Sequence, residues 1–114
     1  MQDGEMAYDE GLAARLRLLI GDEPGMAEKK MFGGLAMLLE GNMAVGVQGE
    51  DLIVRTEPDQ QTQLLAEPGA RVFDMTGRPM KGWLMVDAAG CAEDADLRRW
   101  VDRGVKYARS LPPK

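Results

Sequence analysis

Leu35-Ala36-Met37-Leu38-Leu39-Glu40-Gly41-Asn42-Met43-Ala44-Val45-Gly46-Val47-Gln48-Gly49-Glu50-Asp51-Leu52-Ile53-Val54-Arg55 is the stretch that decides the fold. Three short runs of Met, Val, Leu and Ile are broken by Glu40-Gly41-Asn42 and Gly49-Glu50-Asp51, a punctuation that reads as strands joined by hairpin turns. The predicted strands cover 35–40, 43–48 and 51–55. A fourth, 27–32, precedes them across Gly33-Gly34, where the first two read equally as one strand bent at the glycines. Connections this short make neighbouring strands antiparallel.

Upstream, Leu12, Leu16, Leu19 and Ile20 fall at helical spacing, with Asp9 as the cap and Gly21 as the stop. Residues 1–7 carry no pattern and read as a flexible extension before a single domain spanning 8–114. Downstream, Thr56-Glu57-Pro58-Asp59 has the cap, early proline and early acids of a second helix. Leu64, Leu65 and Ala66 form its apolar side, and Pro68-Gly69 its end. Strands at 71–74 and 82–87 follow, joined through Thr76-Gly77-Arg78-Pro79. A last helix begins near Ala92 or Glu93 and carries the stripe Leu97, Trp100, Val101, Gly104, Ala108 and Leu111 until Pro112-Pro113 stops it. The order α-β(3–4)-α-β(2)-α gives an α+β class, a two-layer and mainly antiparallel sheet packed by helices.

Composition narrows the function. A chain of 114 residues with 45% hydrophobic and 29% charged residues is sized and balanced for one folded domain. Nineteen acids against fourteen bases leave a net charge of -5, which repels phosphate backbones and anionic lipid, so direct contact with nucleic acid or membrane is not expected. There is no histidine, which removes the commonest general base and metal ligand. No apolar run approaches the roughly 20 residues of a membrane span. The one cysteine, Cys91, cannot form an internal disulfide, and a cytoplasmic location is the expectation. Cys91 lies beside Glu93, Asp94 and Asp96 without a base and reads as an inert packing residue. No phosphate-loop or dinucleotide glycine pattern occurs. No catalytic residue, metal site or cofactor is expected.

Two surfaces remain as candidates. Leu35 to Leu39 and Met43 to Val47 lack polar alternation, and three helices suffice for only one side of a sheet. Ala36, Leu38 and Ala44 are therefore expected on a homodimer or partner face, a use that nine adaptable methionines suit. Two glycine-cation loops, Lys29-Lys30-Met31-Phe32-Gly33-Gly34 and Gly77-Arg78-Pro79-Met80-Lys81-Gly82-Trp83, offer Lys30, Gly33, Gly34, Arg78 and Lys81 as groups that could converge on an anion or acidic partner. The plainer alternative makes Gly33-Gly34 a bulge and leaves the cations solvated. Arg99, Arg103 and Lys106 form a basic stripe on the last helix, read as a solvated face pairing with Asp102.

With 29–34, Gly41-Asn42-Met43, 51–55, 77–83 and the tail Arg109-Ser110-Leu111-Pro112-Pro113 in this order, the chain resembles the TfoX/Sxy N-terminal domain family over residues 6–114. The resemblance implies a fold similar to the secretion chaperones. In the best-known members the domain is part of a positive regulator of competence genes that acts with the cyclic-AMP receptor protein at promoters. Those regulators carry a second, C-terminal domain, and this sequence stops after its final helix, so a stand-alone TfoX-like domain is expected. The family brings no catalytic residues, only the motif residues Lys30, Met31, Phe32, Gly33, Gly34, Arg55, Gly77, Arg78, Pro79, Met80 and Lys81. The expected function is a non-enzymatic interaction domain, accessory to transcription regulation, whose partner is a protein such as a component of the transcription machinery. Its binding set is Lys30, Phe32, Gly33, Gly34, Arg55, Arg78, Pro79 and Lys81. The alternative is a domain that binds a small ligand or anion through the two loops.

Overall fold

Asp9 opens the first helix as its sequence position requires: the carboxylate accepts the backbone N–H of Gly11 at 2.8 Å and of Leu12 at 3.4 Å, groups a helix start leaves without partners. A computed structural model describes residues 8–31, 33–73 and 81–114. The extension 1–7, Phe32 and the 74–80 turn with Arg78 and Pro79 lie outside the described residues. The elements are α1 (Glu10–Ile20), β1 (Met26–Met31), β2 (Gly34–Leu39), β3 (Asn42–Gln48), β4 (Asp51–Arg55), α2 (Gln61–Leu64), β5 (Ala70–Val72), β6 (Trp83–Val86) and α3 (Asp94–Ser110). Single 3-10 turns precede α2 and α3, at Pro58–Gln60 and Ala88–Cys91.

The strands form one sheet in the order β1-β2-β3-β4-β6-β5, antiparallel throughout, consistent with the α+β class. β1 to β4 are consecutive neighbours because hairpin turns join them. One face carries Met37, Val45, Val47, Leu52, Val54, Leu84 and Val86, which pack with Leu12, Leu16 and Ile20 of α1, Leu64 of α2 and Leu97, Trp100 and Val101 of α3. Trp100 is fully buried and anchors this layer. Gly21 ends α1 with φ -61°, still right-handed, and its N–H donates to the Arg17 carbonyl.

Two sequence expectations change. Thr56 does not cap the second helix: its hydroxyl donates to the Gly82 carbonyl at 3.3 Å and its N–H to the same oxygen at 2.7 Å, so it ties the end of β4 to the start of β6. Glu57 precedes the 3-10 turn and Gln60 precedes α2, and neither makes a side-chain cap. The second change concerns the sheet's far side. Met37 pairs with Val45 but Leu38 pairs with Met43, leaving Ala44 as an extra residue in β3. That bulge turns Ala44 toward the helices, where it packs with Leu39 and Ala108 and is fully buried. Ala36 is also fully buried, on the opposite face with Met43, Ile53 and Phe73, and Leu38, Trp83 and Met85 are half-covered around them. Ala36 and Ala44 are thus buried on opposite faces of the sheet, so they do not share one exposed surface with the half-covered Leu38.

The bulge also fixes how close α3 sits. A Cβ at Gly104 would lie 2.4 Å from the Ala44 carbonyl oxygen and 2.8 Å from Val45 Cγ1. Backbone cannot rotate away as a side chain can, so only glycine allows the contact. Gly104→Ala should therefore lower stability by about 1–3 kcal/mol through overpacking, despite a helix-propensity gain of about 1 kcal/mol. Urea unfolding measures this, and an unchanged or raised midpoint would show that α3 is not in close contact there.

Candidate functional site

Arg55, the last residue of β4, lies at a corner where three elements meet. Its register partner is Trp83, the first residue of β6. The corner is built from backbone: Gly82, at φ +87°, accepts both Thr56 donors through its carbonyl and donates its N–H to Gln61 Oε1 of α2 at 2.9 Å. A side chain at Gly82 would be strained at that φ and would lie 3.0 Å from the Thr56 carbonyl oxygen. Held this way, Trp83 meets Phe73 in a tilted pair with centroids 6.1 Å apart. From the other side α3 brings Tyr107. The Arg55 guanidinium carbon lies 5.2 Å from the Trp83 ring centroid and 5.4 Å from the Tyr107 centroid, within cation-π range of both.

Arg55 is half-buried, and among the described residues no carboxylate lies within ion-pairing distance of it. By contrast Arg15, Arg17, Arg71, Arg99, Arg103 and Arg109 are each paired, with Asp94, Glu28, Asp51, Glu67 and Asp96, Glu67, and Glu23 respectively. Beside Tyr107 a shallow groove of about 170 Å³ runs between Glu57 and Gln60 on one bank and Arg103, Lys106 and Ser110 on the other. Among the described residues the corner thus presents a guanidinium free of carboxylate partners beside a groove of mixed charge, and no nucleophile there hydrogen-bonds to a base.

The loops of the sequence reading lie apart. Lys30 pairs with Leu35, Leu35 with Val47, Val47 with Leu52 and Leu52 with Val86, so Lys30, Gly33 and Gly34 sit at the β1–β2 end of that row. Arg55 and Lys81 lie at the opposite end of the strands, beside β6. The structure does not bring Lys30, Gly33 and Gly34 to Arg55 and Lys81. Lys30, Gly33 and Lys81 are exposed and Gly34 is buried. Phe32, Arg78 and Pro79 are outside the described residues. Tyr107 was not among the sequence candidates; its place on the polar flank of a helix gives no sign that an arginine from β4 stacks on it.

Two members of the basic stripe, Arg99 and Arg103, pair with a different acid from the one expected, and Lys106 makes no ion pair among the described residues. Glu67, in the α2–β5 connection, accepts from Arg103 at 2.6 Å and from Arg99 at 3.2 Å, and Arg99 also binds Asp96 at 2.8 Å, with Asp102 left out. Arg103 lies over the Trp100 ring at 4.6 Å. Its Nη1 and the Trp100 Nε1 are buried donors with no acceptor among the described residues. Burial pushes the Cys91 thiol up from its ordinary pKa, in keeping with a packing role.

A family model described as the TfoX N-terminal domain matches residues 19–108. The chain belongs to that family. The TfoX N-terminal domain is not a known enzyme family, and its match here spans β1 to β6 together with the Arg55 corner and most of α3. No curated protein matches the chain. Among the described residues no helix of this TfoX N-terminal domain is long and apolar enough to cross a membrane.

Arg103 first, and then Arg99, hold the Glu67 carboxyl below its ordinary pKa of 4.5. A carboxylate whose pKa is lower folded than unfolded adds stability above its unfolded pKa and loses it as pH falls through the folded value. The stability difference between wild type and Glu67→Gln should be about 1 kcal/mol at neutral pH and should shrink as pH falls below about 4.5. Urea titrations from pH 7 to pH 3 read it; a difference constant to the acid end would exclude ion pairing as the cause.

Proposed function

We propose that this domain is a non-enzymatic, cytoplasmic protein-interaction module, accessory to transcription regulation, whose partner presents an acidic segment to the Arg55 corner. The observation that carries the reading is the half-buried guanidinium held between Trp83 and Tyr107 with no carboxylate beside it among the described residues. Two rings within cation-π range restrict where the guanidinium can sit, so less entropy is lost when its N–H fork pairs with an acid. Lys106 adds a local positive charge to the adjoining groove, partly offset by Glu57 on its other bank. The overall charge of -5 keeps the attraction local, favouring a short acidic segment over an extended nucleic-acid backbone. Membership of the TfoX family supports the link to transcription. A free, buried Cys91 agrees with a reducing compartment.

The same fork favours a second reading, a site for a small carboxylate or phosphate, moved from the loop cations to Arg55. A fluorescent oligoglutamate peptide and inorganic phosphate, each titrated against wild type, Arg55→Ala and Arg55→Lys, separate the readings. The module predicts peptide binding that drops about tenfold or more in both variants, since lysine keeps the charge but not the fork. Phosphate binding without peptide binding selects the small-anion site. Equal peptide binding by wild type and a folded Arg55→Ala would reduce Arg55 to a link between β4, β6 and α3.

A further inference from the structure

β1 is the outer strand of the sheet, and among the described residues only β2 pairs with it. It is six residues long, without glycine or proline, and five of the six are exposed. The opposite edge, β5, is only three residues long. Met31 is 38% exposed, one of two large hydrophobic side chains so exposed among the described residues. Such a flank has backbone donors and acceptors ready to pair with another strand. Charged residues on it select against most strands, because a newcomer must place an acid opposite Lys30 and a base opposite Glu28. The sequence of β1 itself does this.

We propose that two copies of the chain join antiparallel through β1, about a two-fold axis at Lys29, to make one continuous sheet. An axis perpendicular to the sheet keeps the two helix-bearing faces on the same side, so only residues on matching faces of β1 can oppose each other. Met26, Glu28 and Lys30 share the helix-bearing face, since their partners Leu39 and Met37 lie there and Leu35 pairs with Val47 of that face; Ala27, Lys29 and Met31 share the other. Centred on Lys29, Glu28 opposes Lys30 of the second copy, and Ala27 opposes its Met31, each twice by symmetry. Centred on Glu28, the register would set glutamate against glutamate and leave Lys30 without an acid. Charge complementarity selects the first. The Lys29 pair is then the one repulsive contact and keeps the association weak. Glu28 is already held by Arg17 at 2.7 and 2.9 Å, so its carboxylate is positioned at the edge before a second copy arrives. This assembly is independent of the Arg55 reading, because that corner lies at the β4–β6 side of the sheet and stays open in both copies.

Sedimentation equilibrium on the full chain at low ionic strength tests it. A monomer–dimer equilibrium in the micromolar range is expected, weakening with added salt. Lys30→Glu and Glu28→Lys should each raise the dissociation constant at least about tenfold, and mixing the two variants should restore dimer, because each then faces its complement. Lys29→Ala should tighten the dimer by removing the central repulsion. Circular dichroism confirms folding of each variant, as the substituted residues are exposed. A monomer at several hundred micromolar, or a dimer indifferent to these substitutions, overturns the proposal.

Discussion

The seat of α3 on the bulge of β3 is the contact from which the rest of the architecture follows. Gly104 brings helix backbone against the Ala44 carbonyl, and the extra residue at Ala44 turns that strand to meet it. Once this point is fixed, helical spacing places Trp100 and Val101 in the core on one side and Ala108 over Leu39 and Ala44 on the other. Tyr107 follows in the same turn and reaches Arg55. A structural contact in the core and the candidate recognition corner are therefore coupled through one helix.

Charge is distributed with the same economy. The acidic excess does not spread evenly: Glu23, Glu28, Asp51, Glu67, Asp94 and Asp96 are engaged by arginines that tie the connections to the layers. α1 is fastened to β1 by Arg17 and to the start of α3 by Arg15, which also reaches the Ala92 carbonyl at 2.9 Å. Surface pairs of this kind contribute about 1 kcal/mol or less each, so they steer connections more than they hold the fold. Against that background Arg55, within cation-π range of two rings and of no carboxylate among the described residues, stands out.

Much of the architecture was legible in the sequence because period and punctuation are local. Glycine-marked turns located β2, β3 and β4 to within a residue or so, and the Leu97 to Ala108 stripe located α3. The bulge was not legible: the run around Met43, Ala44 and Val45 reads as an unbroken strand, and only pairing with β2 shows that Ala44 is the odd residue. That extra residue is why Ala44 lies on the helix-bearing face and not beside Ala36. Thr56 failed as a cap for a related reason, since its side chain and N–H are turned to the Gly82 carbonyl, far along the chain, and among the described residues no helix N–H donates to its hydroxyl. Of the site, Arg55 was visible as a motif residue, but its rings come from β6 and α3, and no local pattern joins positions so distant. The two glycine-cation loops looked like one site because their residue types match, whereas strand pairing puts Lys30 and Lys81 at different ends.

The order of elements also bears on how the protein is made. All six strands precede α3 along the chain, so ribosomes complete the sheet before its main cover exists. Val45, Val47, Leu52, Val54, Leu84 and Val86 have only Leu12, Leu16 and Ile20 of α1 and Leu64 of α2 to pack against until Leu97, Trp100 and Val101 complete the layer. A chain cut short before α3 would leave that apolar sheet surface partly uncovered, the kind of exposed surface through which incomplete chains aggregate.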